Sequence, residues 1–211
     1  MRASRRTALK LFAATGAAAA VPIGTASAAT SAADVVMLIR HGEKPADSGA
    51  PYGIDADGNT DDASLTTRGW SRAGALAALF APAGTPIKSG LRTPTAIYAT
   101  TSTSKKHHRM LETVTPLADK LGLTVNTSHA KGDTSEVAAD VAKRTGTTLV
   151  CWEHTEIPEI AAALGKVSPT PPSTWPDERF DVVWVFTRNG SGWTFSQVPQ
   201  QLLSGDSATG I

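Results

Sequence analysis

The sequence predicts an α/β protein built on a mostly parallel sheet, and three observations carry that prediction. Residues 35–39 and 147–152 are runs without regular polar alternation, the pattern of strands buried on both faces. Between such runs lie stretches whose apolar residues recur at i, i+3, i+4 and i+7, the stripe of a helix packed on a sheet. Finally, arginine and histidine stand directly after the buried runs. In open α/β sheets that is the ligand-binding edge, outside the carboxyl ends of the strands.

The amino-terminal stretch stands apart from this pattern. Ser4-Arg5-Arg6-Thr7-Ala8-Leu9-Lys10 is a twin-arginine signature, and an alanine-rich run follows over residues 11–23. That run falls short of the ~20 apolar residues that span a bilayer as a helix. Ala26-Ser27-Ala28 supplies a small-residue cleavage site. Residues 1–28 are therefore expected to be an export signal cut before Ala29, leaving residues 29–211 as one secreted domain with no stable membrane association. The formal net charge is +1 and Cys151 is the only cysteine. Composition thus implies neither a nucleic-acid partner nor an acidic membrane, and no intramolecular disulfide can form. Oligomeric state has no signature here.

The first strand, residues 35–39, runs directly into Arg40-His41-Gly42-Glu43-Lys44. Arg40 offers a planar, permanently charged donor fork, His41 a nucleophilic imidazole, and Gly42 a tight turn. The loop 45–64 follows, with Asp55, Asp57, Asp61 and Asp62. Oxygen ligands at that density can hold calcium, although the EF-hand spacing is missing and Asp-Gly-Asn is an ordinary turn former. Leu65-Thr66-Thr67-Arg68-Gly69 leads into a helix with Ala73, Leu76, Ala77 and Phe80 inward. Residues 96–100 form the second strand. After it come Lys105, Lys106, His107 and His108, a basic rim, and then a helix with Met110, Val114, Leu117 and Leu121 inward and a kink at Pro116. A short strand is expected over 123–126 and a helix over 136–144. The strand 147–152 ends in Glu153-His154, and a helix follows with Thr155 as N-cap and Gly165 as its stop. His154 therefore sits beside a helix N-terminus, where free N–H groups favour anions. Residues 168–176 read as a proline-rich surface connection. Residues 180–186 and 192–198 read as a hairpin closed by Asn189-Gly190-Ser191-Gly192. The tail from Ser204 is expected to fray.

A strand ending in Arg-His-Gly, the Leu-Thr-x-x-Gly segment at 65–69, an arginine four residues before a threonine (Arg109 and Thr113) and a later strand-end histidine occur here in one order. That set resembles the histidine phosphatase superfamily, over nearly all of residues 29–211. The resemblance implies a phosphoglycerate-mutase-like, three-layer α/β/α sandwich. It also implies that His41 becomes phosphohistidine while Arg40, Arg109 and His154 hold the phosphoryl oxygens. Glu43 and Lys44, next in the chain, are candidate substrate contacts, and Glu43 could instead orient Arg40 or pair with Lys44. No metal or cofactor is required. The expected substrate is a phosphomonoester, small or carried on a protein.

The departure from the family lies at the second histidine. Many relatives have Gly-His there, and the acid phosphatases have His-Asp, whose aspartate protonates the leaving group. Here Glu153 precedes and Thr155 follows. The general acid is left open among Glu156, Glu153 and Glu43, in that order. A secreted phosphatase is the first expectation, and a phosphate-ligand-binding protein of the same fold, lacking an efficient acid, is the second. A calcium- or zinc-dependent hydrolase is the third. Cys151 reads as a small core residue.

Overall fold

The computed structural model describes residues 33–103 and 107–211. The export-signal segment 1–28, Lys105 and Lys106 lie outside the described residues. A six-stranded sheet forms the centre, in the order β2-β3-β1-β5-β6-β4. Its strands are β1 (Val35–Arg40), β2 (Ala96–Ala99), β3 (Thr147–Trp152), β4 (Val167–Ser168), β5 (Val182–Asn189) and β6 (Gly192–Pro199). β1 pairs in parallel with β3, β3 with β2, and β4 with β6, while β5 runs antiparallel to both of its neighbours. All strands except β5 therefore point the same way, and the carboxyl ends of β1, β2 and β3 share one edge.

Helices cover both faces. On one side α1 (Thr67–Phe80) and α2 (His108–Leu121) bury Ala73, Leu76, Phe80, Met110, Val114 and Leu117 against Val35, Met37 and Ile39. On the other side α3 (Thr134–Val141) and α4 (Ile157–Ala163) bury Val137, Val141, Ile157 and Ile160 against Val36, Leu38 and Trp184. Alternate residues of β1 thus feed opposite cores, which is why that strand shows no polar alternation. The expected three-layer sandwich is present.

Several local expectations are corrected. The strand expected at 123–126 is a single parallel bridge between Asn126 and Tyr98. Pairing stops there because the Asn126 side chain accepts from Ser128 N at 2.9 Å and closes a turn. The helix expected over 136–144 lies toward its amino-terminal side, at Thr134–Val141. Glu156, not Thr155, is the N-cap of α4, and it makes no side-chain capping bond. β4 follows Gly165 directly and carries only two residues, too few to leave a periodic signal. Trp175, in the proline-rich connection, is buried against Trp184 with ring centroids 5.0 Å apart.

The tail is not frayed. Asp206 is buried on Arg72, Ser207 N donates to Asp181, and Gln197 exchanges two bonds with the backbone of Ile211 at 2.7 and 2.8 Å. Among the described residues no helix is long and apolar enough to cross a membrane.

Candidate active site

The end of β1 sets the floor of the site. Gly42 N donates to Thr113 Oγ1 at 2.8 Å, and the same hydroxyl donates to Arg109 O at 2.6 Å. One threonine thereby fixes the first turn of α2, and with it Arg109, beside the Arg-His pair. Gly42 has no room for a side chain, since a Cβ there would lie 3.0 Å from Gly69 O. A Cβ on Gly69 would meet Glu43 O at 2.6 Å. The two glycines let the start of α1 close on the end of β1, so the close approach at Gly42 is to a helix. Thr66 completes the junction as N-cap of α1, accepting from Gly69 N.

His41 is only 3 % exposed. Its Nδ1 lies 2.7 Å from Gly42 O. A carbonyl only accepts, so Nδ1 carries the proton and Nε2 carries the lone pair. Burial holds the imidazole pKa well below its ordinary value, despite the Gly42 carbonyl, and Arg109, Arg40 and His154 push it the same way. His41 is thus a neutral, oriented nucleophile surrounded by the other three predicted residues.

Those three present nitrogen atoms with nothing to bond. Arg40 is 1 % exposed, and its Nε and Nη2 have no hydrogen-bond partner among the described residues. Arg109 Nε and His154 Nδ1 are buried in the same condition. Burial lowers the Arg40 pKa to about 10, even with Asp177 and Glu153 opposing, and lowers that of Arg109 as well. Buried donors are normally satisfied. A cluster of orphaned donors on two guanidiniums, with an unpartnered imidazole nitrogen beside them, around a nucleophile is a seat for an oxyanion. Arg109 Nη1 is anchored on Asp62 O at 3.0 Å, and Arg109 and Lys44 line one shallow polar cleft with Asp47 and Asp62.

The acid candidates fare differently. Glu156 faces away from this cluster: its Oε2 accepts from Trp152 Nε1 at 2.7 Å and from Gly132 N at 3.2 Å. Glu43 neither orients Arg40 nor pairs with Lys44. Its carboxylate is taken by Arg68 at 3.0 Å and Arg72 at 2.8 Å, which leaves it no role at the substrate. Lys44 pairs instead with Asp47 at 3.9 Å and is exposed. Glu153 is the one predicted carboxylate that acts on Arg40, Arg109 and His154 together, and Lys131 holds it.

Sequence reasoning missed the segment 176–180 altogether. Arg40 Nη1 donates to the carbonyls of Pro176, Asp177 and Arg179, and its guanidinium lies 3.8 Å from the centre of the Phe180 ring. The Asp177 carboxylate bonds His154 Nε2. No periodic signal marks such a segment, because its place is set by contacts more than 130 residues away in the chain. Asp55 bonds Asp57 N and Asn59 N within a turn, and Asp61 bonds Ser64 and His108. Among the described residues no three His, Cys, Asp or Glu side chains are grouped to hold a metal. Cys151 is fully buried, and burial raises its thiol pKa far above the ordinary range.

No family model matches the chain, and no curated protein does. Solved structures do match. A candidate alpha-ribazole-5'-P phosphatase from Escherichia coli K-12 superposes with a TM-score of 0.51 at 13 % identity, over 82 % of this chain and all 100 % of its own. The protein histidine phosphatase SixA bound to tungstate matches at 0.49 and 17 % identity, over 79 % of this chain and 97 % of its own. A phosphoserine phosphatase from Entamoeba histolytica matches at 0.49 and 14 %, over 81 % and 99 %. The fold is that of the histidine phosphatase superfamily, the phosphoglycerate-mutase-like α/β/α sandwich.

Proposed function

We propose that this chain is a phosphatase that hydrolyses phosphomonoesters through a phosphohistidine on His41, in the exported form 29–211. The observation that carries the reading is the set of unpartnered nitrogens on Arg40, Arg109 and His154 around an imidazole whose Nε2 bears the lone pair. Phosphoryl transfer needs an in-line nucleophile and positive donors for the equatorial oxygens. Here His41 Nε2 attacks phosphorus as the ester P–O bond breaks. The two guanidiniums bind the charge that spreads over the phosphoryl group, and water then cleaves the P–N bond and releases phosphate.

One observation favours the alternative, a phosphate-ligand-binding protein of the same fold: Glu156 and Glu43 are both committed elsewhere. An aryl phosphate separates the two, since its leaving group needs little protonation. Protein recovered outside the cytoplasm should begin at Ala29, hydrolyse the aryl phosphate and, on quenching, carry acid-labile phosphate on His41. His41→Ala should lose turnover without losing thermal stability. An N-terminus at Met1 would show that the segment is an uncleaved anchor or part of the fold. Label on another residue, or full activity in the variant, would refute the mechanism.

A further inference from the structure

The structure leaves a proton without an owner, and we propose that His154 and Asp177 together supply it to the leaving group. This rests on the phosphatase reading above. Glu156 and Glu43 are committed elsewhere, and Glu153 lies in an ion pair with Lys131 while its buried Oε2 makes no hydrogen bond among the described residues. Asp177 is different: its side chain is 82 % exposed, and among the described residues its carboxylate bonds one side chain, at His154 Nε2.

The two nitrogens of His154 face different groups. Nε2 meets the Asp177 carboxylate, which only accepts, so Nε2 carries a proton. Nδ1 is buried and has no hydrogen-bond partner among the described residues. In neutral His154, Nδ1 would then present a lone pair to the oxygens of a bound phosphate monoester, lone pair against lone pair. With the ester bound the ring must therefore be an imidazolium, donating through Nε2 to Asp177 and through Nδ1 into the site. Burial and then Arg40 hold the free His154 below its ordinary pKa, Asp177 and Glu153 oppose them, and His41 lies beside it neutral; the anionic ester adds the further negative charge that favours the imidazolium. Asp177 is thus a positioning residue that orients and charges the imidazole, and His154 is the donor.

The step balances. His41 Nε2 forms the P–N bond, the P–O bond to the leaving group breaks, and that oxygen takes the Nδ1 proton of His154. This leaves a neutral imidazole still bonded to Asp177. Water then attacks phosphorus, gives a proton back to His154 Nδ1, and phosphate departs as the P–N bond breaks.

The test uses leaving groups. Asp177→Asn should cut kcat/KM for an alkyl phosphate on the order of 10²-fold, the scale of general acid catalysis. For p-nitrophenyl phosphate the loss should be only a few-fold. The alkaline limb of the alkyl phosphate pH profile should move to lower pH, because activity is lost once His154 deprotonates and the carboxylate no longer raises its pKa. Asp177→Glu should recover part of the rate. Equal losses on both substrates with an unmoved limb would overturn the proposal. So would tighter binding of inorganic phosphate with unchanged leaving-group dependence, since Asp177 would then be a competitor for the phosphate seat. A wild type inactive even on the aryl ester would bring down the phosphatase reading itself. An active wild type with an indifferent Asp177→Asn would bring down this inference alone.

Discussion

Two arginines of this protein are equally buried, each 1 % exposed, and they do opposite things. Arg72, on α1, is saturated. It bonds Glu43 at 2.8 Å, Asp206 at 2.7 Å and Gln200 at 2.9 Å, and those partners raise its pKa against the cost of burial. Arg40, at the end of β1, has backbone carbonyls on Nη1 and nothing on Nε or Nη2, and burial lowers its pKa to about 10. A buried charge costs several kcal/mol of desolvation unless it is fully paired. Arg72 recovers that cost within the fold. Arg40 leaves part of it to be recovered by an anion, which is what a binding site for phosphate must do. The difference lies in what surrounds each side chain, so residue type and burial alone do not separate structure from function here.

The sharpest way to break the comparison is to remove each arginine in turn. Arg72→Ala strands the Glu43 and Asp206 carboxylates and should cost ~3–5 kcal/mol of stability. Urea denaturation measures this, with kcat/KM per folded molecule changing little. Arg40→Ala frees the Pro176, Asp177 and Arg179 carbonyls but also removes a partly unpaired buried charge, so it should cost less stability than Arg72→Ala while lowering kcat/KM for an aryl phosphate by about 10²–10³, the usual loss when one preorganised donor is removed. If both variants lose stability and activity alike, the two arginines are not functionally distinct and the seat for phosphate must lie elsewhere.

A smaller effect separates the two regions by pH. Arg72 and the Leu202 and Leu203 amides hold the Asp206 carboxyl down to about 2, against an ordinary value near 3.8. A depressed carboxylate contributes stability that is fully present above its unfolded pKa and is lost as pH falls through the folded value. Between pH 5 and pH 2 the wild type should lose on the order of 2–3 kcal/mol from this group. Asp206→Asn should be weaker at pH 5 but show a flatter decline, a difference readable in paired denaturation curves. His41 shifts in the same direction: burial holds its pKa well below the ordinary value, so the imidazole stays neutral and nucleophilic as pH falls past that value. Turnover below the ordinary imidazole pKa should therefore persist in Asp206→Asn wherever the fold survives. Parallel loss of activity and stability in that variant would tie the two regions together.

What the sequence made legible follows the same division. Arg40, His41 and His154 could be read because each ends an apolar run, and such runs are local and continuous. Arg109 could be read through its spacing to Thr113, which is also local, and Thr113 does join α2 to β1. Asp177 could not be read, because its partners lie 23 and 137 residues away and no periodicity links them. The tail misled for a related reason. Serine, glycine and threonine read as fraying, yet one aspartate in it meets a buried arginine 134 residues earlier. Arg68 and Arg72 are of the residue type that binds phosphate, and only their contacts show that Glu43 and Asp206 occupy them.

The smallest expected effect concerns Glu156, first among the acids by position in the sequence. It follows His154 by two residues, and that proximity suggested a proton donor. The helix geometry turns it elsewhere: as N-cap of α4 it points its carboxylate back to the Trp152 indole and across to Gly132 N. Its work is to pin β3 and the start of α4 to the loop before α3. Glu156→Ala removes an acceptor from two donors and should cost ~1–3 kcal/mol, the price of leaving them unsatisfied. Glu156→Gln keeps one amide oxygen as acceptor and should cost about 1 kcal/mol or less, with no change in the leaving-group dependence of kcat/KM. Thermal denaturation and the alkyl-to-aryl rate ratio read the two quantities on one protein sample. If Glu156→Gln lowers the alkyl rate a hundredfold while the aryl rate stands, Glu156 is the acid after all. The carboxylate must then swing away from Trp152 during turnover, and the distinction between paired and unpaired groups would no longer mark the site.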